Sequence, residues 1–293
     1  MNTDLTRRKF VKKTLLASCV ASTIPFGKQL LAQTNPSLMR FGLVTYLWGK
    51  DMNLTELLRT CEEASIFGVE LRTQHAHGVE PSLNKKERIE IRKKFADSPV
   101  ELVGYGSNAQ YHENDATKLQ QNIDLTKQYI ELMHDCGGSG VKVKPNGFVK
   151  EIDRQRTIEQ IGQALNVVAE YGAGYGQQIR VEVHGKGTSE LPVVRDIFKV
   201  ADHPNATVCW NSNDVDLAGK GIQENFRMVK NRLGRTVHVR EFNEGSYPYP
   251  KLMQLFLEMK YQGWILLEAR TNPKDKVKAL IEQRKIFEKM IAS

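Results

Sequence analysis

Eight short runs of β-branched and aromatic residues, spread over residues 40–270 with longer stretches between them, restrict this chain to few architectures. The runs are RFGLVTYLW (40–48), GVELR (68–72), VELVGY (100–105), GVKVK (140–144), IRVEVHG (179–185), ATVCWN (206–211), TVHVREF (236–242) and WILLEAR (264–270). Each has the length and residue preference of a strand. The intervening segments carry helical signals. NLTELLRTCEEASIF opens with Asn53 and has Glu56 three residues on, the pattern of a capping box. KLQQNIDLTKQYIELMHDCG and RTIEQIGQALNVVAEYGAG both end in glycine, and KVKALIEQRKIFEKMIAS closes the chain. Eight strand–helix units in about 250 residues match a (β/α)8 TIM barrel. The rival, an open doubly wound sheet, calls for a glycine-rich turn directly after a strand. The glycine-rich GAGYG at 172–176 instead precedes one.

Polar residues collect at the carboxyl ends of these runs, where barrels carry their chemistry. Glu70 and Arg72 close the second, Lys142 and Lys144 the fourth, Glu182 and His184 the fifth, Asn211 the sixth, His238 and Arg240 the seventh, and Glu268 and Arg270 the eighth. In all of these but the sixth, where Cys209 shares the parity of Asn211, the alternate positions are chiefly Val, Leu or Ile, which suits packing against outer helices. Paired charges low in a barrel explain one or two such strands, not six, so an active mouth is expected. In IRVEVHG the polar face divides by depth: Arg180 low, Glu182 at the site, His184 at the rim.

Glu182, Asn211, His238 and Glu268 bring three oxygen donors and one nitrogen donor from four consecutive strands. That mixture suits a divalent ion of moderate hardness such as Mn2+, Mg2+ or Co2+, with Zn2+ a further option; a closed structural zinc site calls for thiolates or more imidazoles. At these residues the chain, over about 39–291, resembles the xylose isomerase-like TIM-barrel superfamily of sugar isomerases and epimerases. The resemblance implies a metal held by a Glu on strand five, an Asp on strand six, a His on strand seven and a Glu on strand eight. These positions are Glu182, Asn211, His238 and Glu268 here, so the acid of strand six is an amide. Asp214 lies near where many relatives carry a substrate-binding His.

The resemblance also implies a mechanism. A metal polarises a carbonyl and its neighbouring hydroxyl, and Glu182 and Glu268 remove and return a proton through an enediolate. His184 is then expected to hydrogen-bond a sugar hydroxyl or the developing oxyanion. Lys144 and Arg240 are candidates for the same task, or for ion pairs with Glu70 and Glu241. Tyr46 and Trp48, in TYLWG, offer aromatic faces to a sugar ring or to the core. His77, with His75, sits on RTQHAHGVEPSL, a segment expected to form a substrate-contacting lid, with a second metal as the alternative. His112, His134 and His203 are expected to be surface or structural residues.

The net charge of +8 does not indicate a nucleic-acid partner. Six Lys or Arg and one acid fall in residues 1–32, which leaves +3 for the remainder. TRRKFVKKTLLASCVAST, with Arg7 and Arg8 ahead of a short apolar run, resembles a twin-arginine export signal. The expected organisation is a leader over 1–32 with cleavage near Ala32, a linker over 33–38 and a barrel over 39–293. The mature protein is then periplasmic, without stable membrane insertion; lipidation at Cys19, within LASC, is the alternative. Cys61, Cys136 and Cys209 have apolar neighbours and no CxxC spacing, and are expected to be buried free thiols.

The expected function is metal-dependent proton transfer on a small carbohydrate, by an isomerase or epimerase, or by a lyase or hydratase acting on a 3-keto sugar or glycoside. A non-catalytic sugar-binding barrel is the competing reading. A zinc nuclease on this barrel needs more well-placed histidines than the chain supplies. Self-association stays open.

Overall fold

The structure, a computed structural model, describes residues 38–292; the twin-arginine motif, Cys19, the cleavage point and most of the linker lie outside the described residues. Eight parallel strands run β1 (Arg40–Val44), β2 (Gly68–Arg72), β3 (Glu101–Gln110), β4 (Gly140–Lys144), β5 (Gln178–Glu182), β6 (Ala206–Cys209), β7 (Thr236–Val239) and β8 (Trp264–Leu267). Eight helices alternate with them: α1 (Leu54–Glu63), α2 (Lys85–Ala96), α3 (Ala116–Cys136), α4 (Arg154–Gly174), α5 (Leu191–Val200), α6 (Ile222–Val229), α7 (Tyr249–Glu258) and α8 (Lys276–Ile291). This is a (β/α)8 TIM barrel. The continuous ladder has the order β6-β5-β4-β3-β2-β1-β8-β7, so β1 and β8 pair directly. The seam between β6 and β7 is held by two isolated bridges, Val208 with Leu233 and Asn211 with His238. None of the described helices is long and apolar enough to cross a membrane.

Local chemistry explains the punctuation. Asn53 accepts from the Glu56 amide at 3.0 Å while the Glu56 carboxylate accepts from the Asn53 amide at 3.0 Å, a complete capping box at the start of α1. Gly137 ends α3 with φ 87°, a conformation costly for any residue with a Cβ. Val69, Leu71, Val141, Val143, Ile179, Val181, Val237, Val239, Ile265 and Leu267 face the helices and join one large core. The opposite faces fill the barrel.

That filling is split between apolar and charged material. Val44, Val103, Trp264 and Leu266 form a small apolar cluster. Beside it stands Arg180, wholly buried, donating to Val103 O at 3.0 Å, Ser139 O at 3.1 Å, Ser139 Oγ at 2.9 Å and Gln178 Oε1 at 3.1 Å. Room for it comes from β3: a Cβ on Gly104 would lie 2.5 Å from Arg180 Nη1. The depth assigned to Arg180 from sequence holds, and hydrogen bonds offset its desolvation.

Candidate metal centre and active site

Above Arg180, each polar strand contributes an inward side chain. Ligand atoms of Glu182, His238 and Glu268, all buried, lie within 4.8 Å of one another. The three come from β5, β7 and the residue just past the end of β8. Two of the three are held by a cation. Lys142 Nζ donates to Glu182 Oε2, and Arg72 Nη1 donates to Glu268 Oε1 at 2.9 Å. His238 Nε2 meets Glu70 Oε1 at 3.0 Å. A carboxylate only accepts, so this nitrogen carries the proton and Nδ1 is left for another partner.

His238 Nδ1 is buried and has no hydrogen-bond partner among the described residues; the nearest carboxylate oxygen, Glu182 Oε1, is 4.0 Å away. A buried imidazole nitrogen without a partner is costly, and a divalent ion shared with the two glutamates satisfies it. The donor set fits such an ion.

Asn211 joins the group through its nitrogen, donating from Nδ2 to Glu182 Oε1 at 2.8 Å. Its amide nitrogen therefore steadies Glu182. Glu182 and Glu70 feel strong opposing effects. Burial would raise the carboxyl of Glu182, but Lys142, then His238, His184 and Lys144, hold it well below the ordinary range. Glu70 is lowered likewise, its burial outweighed by His238, Lys142 and Arg180. Burial opposes a charge on His238, yet Cys209 and Glu70 beside it raise its pKa. Burial, with Lys142 next, brings Lys144 down to about 8.

The residues expected to meet substrate divide into two groups. His184 and Lys144 stand at the rim. His184 Nδ1 contacts Asn146 Oδ1 at 2.9 Å, so Nδ1 donates and Nε2 remains an acceptor; burial keeps the ring neutral by lowering its pKa. Lys144 Nζ reaches Asn108 Oδ1 at 3.4 Å, and Arg240 Nη2 reaches Asn213 Oδ1 at 3.1 Å. The alternative ion pairs are not formed: Glu70 holds His238, and Glu241 accepts from the Arg270 and Thr271 amides and from Thr271 Oγ1. Tyr46 packs on the apolar interior cluster, with the Arg72 guanidinium 5.1 Å from its ring centroid. Asp214 is exposed and opens a short 3-10 turn, Asp214–Leu217. It lines a cleft of about 200 Å3 with Ser212, Arg240, Tyr247, Tyr249 and Arg270.

Trp48 takes the core alternative, and His77 is fixed within its own loop. Trp48 is buried in the main core, and its indole N–H donates to Thr271 O at 3.0 Å, so it ties the loop after β1 to the one after β8. His77 Nδ1 accepts from the Val79 amide at 3.0 Å and Nε2 donates to Arg72 O at 2.8 Å. With both nitrogens engaged and the ring 6% exposed, His77 fastens its own loop. His75 Nδ1 lies 3.1 Å from Thr45 Oγ1, and burial, with His77 and Arg72, lowers its pKa to about 4.

Lys142, Glu70 and Arg72 are the site residues whose parts the sequence did not disclose. Their signal was present: each shares the parity of an inward position on its strand. What was missing was the pairing across the barrel.

Asp216 was also missed. Its Oδ2 accepts from the Asn213 amide at 2.9 Å and from Tyr247 OH at 2.7 Å, while Oδ1 is buried without a partner. Burial foremost lifts its carboxyl to about 7 from an ordinary 3.8. The folded state therefore holds this proton more tightly than the unfolded chain. Its stabilising effect is complete at acidic pH, below the unfolded value, and is lost as the pH rises through the folded one. Asp216→Asn cannot ionise. Its stability relative to wild type should grow by roughly 2–3 kcal/mol between pH 5 and pH 8, read from denaturant melts.

The description of the matching family model is the xylose isomerase-like TIM barrel, and it spans residues 58–289. The chain belongs to that family. Comparison with curated proteins finds no match. Among solved structures, this xylose isomerase-like barrel is similar to apo 3-keto-D-glucoside 4-epimerase, YcjR, from E. coli, with TM-score 0.73 and 13% identity over 86% of this chain and 99% of that one. It is similar to L-ribulose 3-epimerase, with TM-score 0.74 and 14% identity over 87% and 95%. The IOLI protein with a binding zinc atom superposes with TM-score 0.73 and 14% identity over 87% and 98%. At these identities the likeness is one of fold.

Proposed function

We propose that this chain is a divalent-metal-dependent enzyme that isomerises or epimerises a small carbohydrate by moving a proton beside a carbonyl. One observation carries the reading: two buried carboxylates, Glu182 and Glu268, converge with the free nitrogen of His238 at the carboxyl mouth of the barrel, each carboxylate steadied by its own cation. Two similar structures are named as sugar epimerases and a third as carrying zinc, which supports the reaction class and the metal.

Glu182, His238 and Glu268 would hold the ion, with Asn211 beside them. When bound, the ion would polarise a carbonyl and the adjacent hydroxyl and so acidify the C–H of the hydroxyl-bearing carbon beside the carbonyl. One glutamate takes that proton and the other returns one. Mn2+ suits the mixed oxygen and nitrogen donors best; Mg2+, Co2+ and Zn2+ are the alternatives. His184, through Nε2, accepts from a substrate hydroxyl, and Lys144 and Arg240 donate to substrate oxygens. Tyr46 lends an apolar face at the rim, and Asp214 adds an acceptor beside Arg240.

The same placement serves a lyase or hydratase on a 3-keto sugar, and the similarity to an enzyme named for a 3-keto-D-glucoside favours keto-glycosides in the test panel. The Arg7-Arg8 signature supports twin-arginine export to the periplasm, with a leader ahead of the barrel and lipidation at Cys19 as the alternative.

Incubating the Mn2+-loaded protein in deuterated water with ketoses and 3-keto-glycosides tests the reading. Deuterium should enter one carbon next to the carbonyl. Binding of sugars with no exchange and no turnover across the panel sinks it and leaves a sugar-binding barrel. His184→Ala should keep its metal and lose roughly 10²-fold in kcat/KM, checked by metal analysis alongside kinetics.

A further inference from the structure

The charged interior is balanced by the chain itself. Around the metal cluster stand three carboxylates, Glu70, Glu182 and Glu268, and three strong cations, Arg72, Lys142 and Arg180. At position 211, where an acid would tip that balance, the chain has an amide.

Lys142 is the cation closest to the ligand atoms. It is wholly buried on β4, and the β4–β5 register sets it opposite Arg180, one pleat below Glu182. Its ammonium contacts Glu182 Oε2, while the other oxygen, Oε1, takes the Asn211 amide. Both oxygens of Glu182 are thus engaged by donors of this chain. The pocket for Lys142 is shaped from β3: a Cβ on Gly106 would lie 3.2 Å from Lys142 Cε and 3.2 Å from Glu70 Oε1.

We propose that Lys142 is a tethered competitor of the metal. Its ammonium holds the cation position at Glu182, and a divalent ion enters the cluster only by loosening that contact. Two like charges on one carboxylate in a buried site repel strongly, so Lys142 lowers the affinity of the cluster for any divalent ion. In exchange it keeps Glu182 ionised and the barrel folded when no ion is bound, which a bare cluster of carboxylates does poorly. The inference rests on the metal-dependent reading above and concerns how tightly the ion is held.

Titrating Mn2+ into the full chain by calorimetry, with thermal melts at each metal concentration, tests it. Lys142→Met and Lys142→Gln should bind Mn2+ at least tenfold more tightly than wild type. Both should melt lower without metal and gain more in Tm from Mn2+. Lys142→Gln keeps a hydrogen-bond donor for Glu182, so it guards against a misfolded methionine variant. Lys142→Arg keeps the charge and should bind as weakly as wild type. Equal Mn2+ affinity in wild type and both neutral variants overturns the competitor role while leaving the metal cluster standing. Absence of Mn2+ binding in all of them overturns both the role and the metal reading.

Discussion

Glu182→Ala is expected to abolish turnover and metal retention together. The carboxylate is a donor of the candidate cluster and one of the two groups positioned to carry the proton. Its loss also strands a neighbour. Lys142, wholly buried, contacts Glu182, and with that partner gone its ammonium is left inside the barrel without the carboxylate it touches. Breaking a buried pair from one side costs about 3–5 kcal/mol. Three readouts should therefore move at once: turnover down by at least roughly 10³-fold, metal content near zero, and a lowered Tm. Glu182→Gln separates them. The amide keeps the volume, and its side-chain oxygen can still accept from Lys142, so most of the stability should return while turnover stays lost. If Glu182→Ala retains full metal occupancy and turnover, the cluster is not the active site.

Arg180→Ala should produce a comparably large loss of stability without direct contact to the chemistry. The guanidinium donates to two main-chain carbonyls, a serine hydroxyl and a glutamine oxygen on β3, β5 and the segment before β4. Alanine leaves these acceptors unpaired in a space shaped around a long side chain, and it removes one of the charges that keep Glu70 ionised. A loss of about 3–5 kcal/mol is expected, a Tm drop on the order of 10 °C for a barrel of this size. Calorimetry checks it. A melt within one or two degrees of wild type would mean that the interior tolerates the change by admitting water.

The fold was legible because a barrel strand buried on both faces leaves a dense mark: helix-facing Val, Leu and Ile alternating with whatever fills the interior. The marks ran past the strands. RFGLVTYLW, IRVEVHG and TVHVREF each extend beyond the last ladder residue, since alternation continues into the loop that carries Tyr46, His184 or Arg240. At β3 the error was opposite. GSNAQ has no β-branched residue, yet it continues the strand to Gln110, where the register with β4 is shifted.

In the site, what a residue type and its strand determine was readable: Glu182, His238 and Glu268 do converge. What depends on a partner far along the chain was not. Trp48 is committed to Thr271, more than two hundred positions away, and His77 to the backbone of its own turn. Lys142 looked like any lysine at the end of a strand until its neighbour across the ladder was known.

The incomplete ladder between β6 and β7 gives the cluster a further meaning. Glu182 and Asn211 belong to the wall that ends at β6, whereas His238 and Glu268 belong to the wall that begins at β7. An ion shared among them would clasp the barrel at its loosest joint. Ligand chemistry and the mechanical closure of the fold would then be one event, and the stiffness of this wall would report whether the centre is charged.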